Sequence, residues 1–550
     1  MWKAPQIDFN KISATFVTEP STLLVMNRIA SYCLMALLLS ALLPACQPAT
    51  ASEPNQDEAL NLEEITIAEL QAKYASGTLS AAMVVEYYLD RIAATDQSGP
   101  GLNSVLTTNP DALKIARRLD EERANGRVRG PLHGIPVLLK DNIDTGDQMP
   151  TTAGSRALEG SVAPDDAFIV KQLREAGAVI LGKTNLSEWA NFRSTHSSSG
   201  WSGLGGQTHN PYRLDCNPCG SSSGSGVAVA ANLCVVALGT ETNGSIVCPS
   251  SANGIVGIKP TVGLLSRDGV IPISFTQDTP GPMARTVTDA AIALGVMTGV
   301  DQADAKTTAS EGQFKTDYTP YLDSTALKGK RIGYYTAPKG THYKVDTLME
   351  SAMQTLREQG AEVIAIEDRL PPQTGSLSYQ VMLYEFKDGL NQYFGSLGPN
   401  APVKSVEELI DFNQADEVEL RHFHQDILEQ AAQMGPLDSD DYRSTVSEMQ
   451  RLARAEGIDK IMAKYKLDAL IAPTGAPAWK TDHVNGDHYT LGSSSPAAWA
   501  GYPNISVPMG FIEGLPVGLS FYGTAWSEPV LIGLAYDFEQ ARGARRVPEL

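Results

Sequence analysis

Residues 218–263 read PCGSSSGSGVAVAANLCVVALGTETNGSIVCPSSANGIVGIKPTVG, and this stretch decides the fold of the chain. It holds two clusters of glycine, serine and threonine, at 220–226 and 239–245, on either side of an apolar segment. Glycine lets a backbone approach a ligand closely, and a serine hydroxyl both donates and accepts hydrogen bonds. Between the clusters we predict a helix at 227–232 and a strand at 234–238. The clusters are therefore predicted to be loops of a binding or catalytic site rather than flexible linkers.

The composition is that of a globular, acidic protein. The chain has 550 residues, 42% of them hydrophobic, so it can build one large core or several smaller ones. It carries 63 acidic and 43 basic residues, a net charge of −20. This charge repels nucleic acids and anionic lipid surfaces, so we expect no nucleic-acid partner. After residue 46 the sequence contains no apolar run of transmembrane length.

The first 61 residues are predicted to precede the fold. Residues 1–25 lack targeting features and are interpreted as a non-native extension or a mis-assigned start. Residues 26–46 combine a basic start, an apolar run and a Leu-Pro-Ala-Cys ending, which resembles a bacterial lipoprotein signal in which Cys46 would carry the lipid anchor. Ordinary cleavage near 49–51 is the alternative, and 47–61 is predicted to be a tether. Both versions predict export, giving a periplasmic protein or a membrane-anchored lipoprotein of a bacterium.

The cysteines beyond the predicted signal are Cys216, Cys219, Cys234 and Cys248. Cys216 and Cys219 form a lone C-x-x-C pair, and no second pair stands at a spacing that suits zinc. We therefore predict no metal site. A local disulfide between Cys216 and Cys219 and two unpaired thiols remain the alternatives.

Lys140 follows a short apolar run, 135–139, that is typical of a buried strand. One interpretation is a lysine that reaches solvent at the sheet edge or pairs with Asp141. The other is functional, because active sites of open α/β sheets gather at the carboxyl ends of strands, and a desolvated lysine can act as a neutral base.

Two short motifs match known patterns but stand in the wrong context. Residues 177–184 fit the phosphate-loop pattern, yet a helix at 168–176 precedes them and 178–181 is itself a predicted strand. Residues 220–224 fit the G-x-S-x-G pattern of a nucleophile elbow, yet no strand leads into them. Nucleotide binding and an α/β-hydrolase site are therefore not expected.

The rest of the chain alternates predicted strands and helices. Strands at 331–335 and 361–366 flank a helix and indicate a βαβ unit. The region 376–465 is mainly helical, and it is either a substrate wall or a plain helical cover. Its aromatic residues are Tyr384, Phe386, Tyr393 and Phe394.

The two glycine and serine clusters, with Lys140-Asp-Asn upstream and Gly257-Ile-Lys-Pro-Thr and Ala500-Gly-Tyr-Pro-Asn downstream, resemble the motifs of the amidase signature family. The resemblance extends over about residues 62–545. It implies an α/β fold with a single amidase-signature domain, in which a large twisted mixed β-sheet is covered by α-helices on both faces.

The same resemblance implies the roles of the site residues. Ser245 is the expected nucleophile, Ser221 the bridging serine in a cis peptide bond, and Lys140 the base. The expected oxyanion hole consists of the backbone N–H groups of Thr242, Asn243, Gly244 and Ser245. No cofactor and no metal are expected.

Many family members have an arginine where this chain has Val247. Together with the sequence around Cys219 and Cys248, this is similar to bacterial peptide amidases, which release ammonia from C-terminal peptide amides. The alternatives are an amidase of small aliphatic or aryl amides, a glutamine-hydrolysing amidotransferase subunit, and a non-catalytic binding protein.

Overall fold

The computed structural model describes residues 60–550. The predictions for residues 1–25, 26–46 and 47–59, including lipidation of Cys46, lie outside the described residues. The α-helices of the described part are α1 Ile67–Ala75, α2 Ala81–Arg91, α3 Ala112–Ala124, α4 Phe168–Glu175, α5 Ser223–Ala230, α6 Val247–Ala252, α7 Val287–Met297, α8 Tyr343–Glu358, α9 Thr374–Ser396, α10 Val406–Ala415, α11 Asp426–Ala432, α12 Asp440–Ala453, α13 Asp459–Tyr465, α14 Ser495–Ala500 and α15 Glu528–Arg542.

The strands form one large sheet and one small hairpin. Their bounds are β1 Val105–Thr108, β2 Pro136–Lys140, β3 Val179–Thr184, β4 Trp201–Ser202, β5 Gly206–Gln207, β6 Val236–Glu241, β7 Val256–Lys259, β8 Thr279–Ala284, β9 Arg331–Tyr335, β10 Glu362–Ile366, β11 Ala469–Pro473, β12 Asn504–Ile512 and β13 Leu515–Tyr522. The eleven-stranded sheet has the order β1-β3-β2-β6-β8-β7-β12-β13-β11-β9-β10, and β4 pairs with β5.

The direction of three neighbouring strands positions the site. Strand β2 is parallel to β3 on one side and to β6 on the other, while β8 and β7 run antiparallel to their neighbours in this part of the sheet. The carboxyl ends of β2, β3 and β6 therefore meet at one edge of the sheet, where ligands of such sheets bind. Lys140 closes β2 at that edge, and the second glycine and serine cluster leaves the end of β6 there.

Burial shows that both faces of the central sheet are covered. Every residue of β2, β3 and β6 is buried, which accounts for their near-continuous apolar sequences. Residues 60–550 form one unit. The result is the single α/β domain with a large mixed sheet that the sequence predicts. No helix within this unit combines the length and apolarity needed to cross a membrane.

Helix α5 starts at Ser223, four residues before the predicted start, and the reason is close packing. A side-chain carbon on Gly224 would lie 2.2 Å from the Ser104 carbonyl oxygen and 2.5 Å from that of Asn185. Only a residue without a side chain fits there, so the second half of the first cluster, 223–226, forms the first turn of the helix, and 220–222 remain a loop. The predicted βαβ unit is confirmed, since β9 and β10 are parallel and α8 connects them.

Candidate active site

Lys140 is completely buried and lies at the centre of the site. Its Nζ donates hydrogen bonds to Ser221 Oγ at 2.7 Å, to Thr240 Oγ1 at 2.9 Å and to the Thr240 carbonyl oxygen at 3.2 Å. No carboxylate between residues 60 and 550 comes within ion-pair distance of this amine. The Asp141 carboxylate accepts from Thr152 instead. The alternative of a solvent-exposed or Asp141-paired lysine is therefore wrong.

Burial also changes the acidity of Lys140. Removal from water disfavours the charged amine and lowers its pKa to about 7, although the charges of Asp278 and Glu241 act in the opposite direction. A substantial fraction of Lys140 is thus neutral near pH 7, and a neutral amine has a free lone pair that can accept a proton.

Ser221 connects Lys140 to the second loop. The Gly220–Ser221 peptide bond is cis, as the family resemblance implies. The Ser221 carbonyl accepts from Ser187 N at 3.0 Å, and the next residue, Ser222, donates its N–H to the Ser245 carbonyl at 3.1 Å. The Ser222 hydroxyl donates to the Thr240 carbonyl at 3.1 Å, which gives the middle serine of the G-x-S-x-G match a structural place. The two predicted loops are therefore held side by side.

Ser245 stands in the turn before α6 and lines a cavity, with 8% of its surface exposed. Among the described residues its hydroxyl has no hydrogen-bond partner, so the structure contains the Lys140–Ser221 link but not a Ser221–Ser245 link. The predicted residues Lys140, Ser221 and Ser245 are thus brought to one place, with one of the two expected hydroxyl contacts formed.

Four consecutive backbone N–H groups after the end of β6 make no hydrogen bond within the described chain. None of the four from Thr242 to Ser245 donates to an acceptor within residues 60–550, whereas the N–H groups of Ile246 and Val247 both donate to the Glu241 carboxylate, at 2.8 and 3.0 Å. Gly244 has φ +88°, and a side-chain carbon there would lie 3.0 Å from Ser494 Oγ. This turn therefore needs glycine both for its backbone angle and for space.

Side chains on both sides fix this loop. Thr242 Oγ1 donates to the buried Asp278 carboxylate at 2.6 Å. The Asn243 amide oxygen accepts from Ser494 Oγ at 2.7 Å, and its nitrogen donates to Ser495 Oγ at 3.2 Å. The free N–H groups are consequently preorganised, which is the condition for stabilising an anionic oxygen.

The cavity beside Ser245 has a volume of about 480 Å³. Its apolar wall comes from several loops and from α9, and it consists mainly of Phe192, Ile273, Met382, Trp479 and Tyr489. No sequence motif marks Phe192, Trp479 or Tyr489, because the loops that carry them have no recognisable pattern.

The region 376–465 does not form the predicted aromatic substrate wall. It forms the alternative, a helical cover. Of that region only Met382 lines the cavity. Phe386, Tyr393 and Phe394 pack with α10 and α11 in an apolar cluster that also contains the wall residues Phe192 and Ile273, but they do not line the cavity themselves. Tyr384 packs against Tyr442 instead.

The cysteine pairing also differs from prediction. Cys219 is bonded to Cys248, while Cys216 and Cys234 are free and buried. The prediction considered only the nearest partner in sequence, but the fold places helix α6 beside the first loop, because both loops converge on the site. Cys219 and Cys248 both line the cavity.

The phosphate-loop match is confirmed as fortuitous. Lys183 lies inside β3, and its Nζ donates to the carbonyl oxygen of Ile143 at 2.8 Å and to Thr151 Oγ1 at 2.8 Å. It thereby closes the segment that follows β2. Within the described chain, no group of three or more His, Cys, Asp and Glu side chains is arranged to hold a metal ion.

Solved structures with this architecture include peptide amidases. The native peptide amidase of Stenotrophomonas maltophilia is 52% identical, with a TM-score of 0.85 over 89% of this chain and 99% of that one. The peptide amidase PAM in complex with the competitive inhibitor chymostatin is 53% identical, with a TM-score of 0.86 over 89% of this chain and 100% of that one.

Curated relatives carry related descriptions. A probable amidase of Arabidopsis thaliana is 42% identical over 518 residues, 91% of this chain and 94% of its own length. A putative amidase of Schizosaccharomyces pombe is 39% identical over 510 residues, 86% and 84% of the two chains. A glutamyl-tRNA(Gln) amidotransferase subunit of Halorhodospira halophila is 34% identical over 511 residues, 89% and 99% of the two chains.

These relatives correct the predicted localisation. The Arabidopsis and Schizosaccharomyces proteins are plant and fungal amidases and not bacterial lipoproteins. The segment from which export was inferred lies outside the described residues. The interpretation as an exported bacterial lipoprotein is therefore wrong.

The family assignment rests on most of the chain. The sequence model of the Amidase family matches residues 83–532, which include all three residues of the Lys140, Ser221 and Ser245 set. The chain therefore belongs to the amidase signature family and is a hydrolase that acts on amide C–N bonds.

Proposed function

We propose that this amidase hydrolyses the C-terminal amide of peptides and releases ammonia through an acyl-enzyme on Ser245. The observation that carries the mechanism is the 2.7 Å contact between Lys140 Nζ and Ser221 Oγ, beside the cavity that Ser245 lines. The peptide substrate is supported by the 53% identity to the peptide amidase PAM.

The proton moves along hydroxyl groups, without histidine. The Ser245 oxygen attacks the amide carbonyl carbon and passes its proton to Ser221, whose own proton moves to neutral Lys140. The tetrahedral intermediate collapses when the proton returns through Ser221 to the amide nitrogen, which leaves as ammonia. Water then cleaves the ester on Ser245 by the same relay, and the peptide acid is released. The proposal requires the Ser245 side chain to turn toward Ser221 when the substrate binds.

The four unused N–H groups at 242–245 are the proposed oxyanion hole. Donors that are already aimed at the developing negative charge cost no reorganisation during the reaction, and each is typically worth about 3 kcal/mol. The bonds from Thr242 to Asp278 and from Ser494 to Asn243 hold these donors in place.

The cavity supports a substrate larger than a simple amide. Its volume of about 480 Å³ and its aromatic wall accommodate an amino-acid residue next to the scissile amide. No lysine, arginine or histidine is among the lining residues of the described chain, so free glutamine would find no cation for its carboxylate. Small aliphatic or aryl amides remain the alternative substrate class.

Ammonia release tests this proposal. Purified wild type, Ser245→Ala and the control Ser225→Ala are compared on an N-acetyl dipeptide amide, acetamide, benzamide and glutamine. Ser225 is a matched control, because it is a buried serine of the same cluster whose hydroxyl donates to the Leu238 carbonyl at 2.8 Å and does not contact Lys140.

We expect turnover of the peptide amide by wild type and Ser225→Ala, and none by Ser245→Ala. Turnover of only the small amides would overturn the peptide assignment and leave the mechanism standing. Equal rates for wild type and Ser245→Ala would overturn the mechanism.

A further inference from the structure

The cavity beside Ser245 carries one charge. Asp487 is the only Asp, Glu, Lys, Arg or His among the cavity-lining residues of the described chain. Lys140 lies behind Ser221, His483 lies near Asp487, and neither of them lines the cavity. A substrate that fills this space therefore meets one carboxylate in the cavity wall and no cationic side chain among the lining residues of the described chain.

Asp487 is held rigidly in the wall. Its two oxygens accept hydrogen bonds from Ser199 N at 2.9 Å, Trp479 Nε1 at 3.1 Å and Asn217 Nδ2 at 3.3 Å. The Asn217 side chain in turn accepts from Cys219 N at 2.8 Å, so the chain of hydrogen bonds runs directly to the segment that enters the cis Gly220–Ser221 bond. The carboxylate is consequently anchored to the same loop that presents Ser221.

Asp487 retains capacity for a ligand. An ionised carboxylate offers about four acceptor positions, and the three protein donors leave one of them. The carboxylate is partly exposed, and partial burial raises its pKa, while its hydrogen bonds and the neighbouring His483 favour the charged form. At pH 8 neutral Lys140 predominates, and this pH lies about four units above the usual pKa of an aspartic acid.

We infer that Asp487 is a specificity-determining residue that selects amides by the charge of their acyl part, and that favours cationic over neutral and neutral over anionic peptides. This inference rests on the proposed function and adds the charge class of its substrate. A positively charged amine that enters the cavity gains a charge-assisted hydrogen bond, whereas a carboxylate is repelled.

A ladder of three substrates with the same scissile bond tests the inference. N-acetyl-lysyl-phenylalanine amide is cationic, N-acetyl-glutaminyl-phenylalanine amide is neutral, and N-acetyl-glutamyl-phenylalanine amide is anionic at pH 8, because lysine and glutamate side chains titrate at about 10.4 and about 4.3. kcat and KM are measured at pH 8 for wild type, Asp487→Asn and the control Asp482→Asn. Asp482 lies in the same segment, is not a cavity-lining residue, and accepts from Val484 N and Asn485 N within its own turn.

For wild type we expect kcat/KM to fall along the ladder, with the cationic substrate at least about tenfold above the anionic one, mainly through KM. This ratio corresponds to about 1.4 kcal/mol. Asp487→Asn should reduce the ratio between the cationic and anionic substrates to near one. It should leave kcat/KM for the neutral substrate within about threefold of the wild-type value. Asp482→Asn should keep the full ladder.

The outcomes separate the inference from the proposed function. If wild type hydrolyses the neutral peptide amide but shows no ladder, the inference is overturned and the function stands, and this readout does not depend on the folding of a variant. If Asp487→Asn lowers kcat/KM equally for all three substrates, Asp487 only anchors Trp479 and the segment around Ser199. The inference is then again overturned. If wild type hydrolyses none of the three peptides, the proposed function itself fails.

Discussion

Replacing Lys140 with methionine is expected to abolish amide hydrolysis and to change how the stability of the protein depends on pH. Burial lowers the pKa of Lys140 to about 7 in the folded protein, whereas an exposed lysine titrates near 10.4. Between these pH values the unfolded chain binds one proton more than the folded chain. The free energy of unfolding of wild type therefore rises with pH in this window, and Lys140→Met removes that contribution.

The magnitude follows from the pKa difference. Each pH unit inside the window adds about 1.4 kcal/mol to the free energy of unfolding. Between pH 7.5 and pH 9.5 wild type should gain about 2 to 3 kcal/mol relative to Lys140→Met. The variant also leaves Ser221 Oγ and Thr240 Oγ1 without their partner, but this cost is an offset that does not vary with pH in the window.

Urea denaturation at pH 7.5, 8.5 and 9.5 measures the effect. The control is Lys114→Met, which removes an amine whose side chain is 85% exposed and should follow wild type at every pH. If the unfolding free energies of wild type and Lys140→Met change in parallel over this range, Lys140 is charged in the folded protein. The account of a neutral base would then be refuted.

Three further changes have defined expectations. Ser221→Ala removes one of the two hydroxyls, with that of Thr240, that contact Lys140 Nζ within residues 60–550. It should lower kcat on the peptide amide by at least about 100-fold with little change in KM, as steady-state kinetics would show. Gly244→Ala places a side-chain carbon on a residue with φ +88° and 3.0 Å from Ser494 Oγ, which should shift the neighbouring N–H groups. Steady-state kinetics should show kcat reduced by about 100-fold and KM unchanged. Cys219→Ser opens the bond to Cys248 that closes a separation of 29 residues, and should lower the free energy of unfolding by about 3 to 4 kcal/mol in urea titrations under non-reducing conditions, whereas Cys216→Ser should not.

Much of the central fold is predictable from the sequence because its strands are short apolar runs bounded by turn residues. Strand β2 with Lys140 at its end, strand β3 and the connection β9–α8–β10 all coincide with such runs. These elements are buried on both faces, so their residue types are tightly constrained. Rejection of the phosphate loop followed from the same reasoning, since Lys183 belongs to a strand.

The candidate site is predictable only in part. Some of its residues are marked by the sequence immediately around them, whereas others are placed by contacts between distant parts of the chain. The glycine and serine clusters indicate the positions of Ser221 and Ser245 directly in the sequence, and they favour the positive φ of Gly244. Trp479 and Asp487 reach the cavity from the long connection between β11 and α14, and the sequence around them has no periodicity. Their position depends on long-range contacts that no short window of sequence contains.

The cysteine pairing failed for a similar reason. Cys219 directly precedes the loop at 220–222, and Cys248 lies in α6, directly after the loop that holds Ser245. The hydrogen bond from Ser222 N to the Ser245 carbonyl oxygen holds these two segments together. Cys216 is the cysteine nearest to Cys219 along the chain, but the fold brings Cys248 to Cys219 instead.

The most direct test of the account is the location of the acyl group during turnover. Wild type is mixed with an N-acetyl dipeptide amide at mildly alkaline pH, quenched in acid within the first turnover, and digested for peptide mapping by mass spectrometry. We expect the mass of the acyl group to be added to Ser245, and the adduct to be absent from Ser245→Ala. An adduct on a different residue, such as Ser221, would contradict the account.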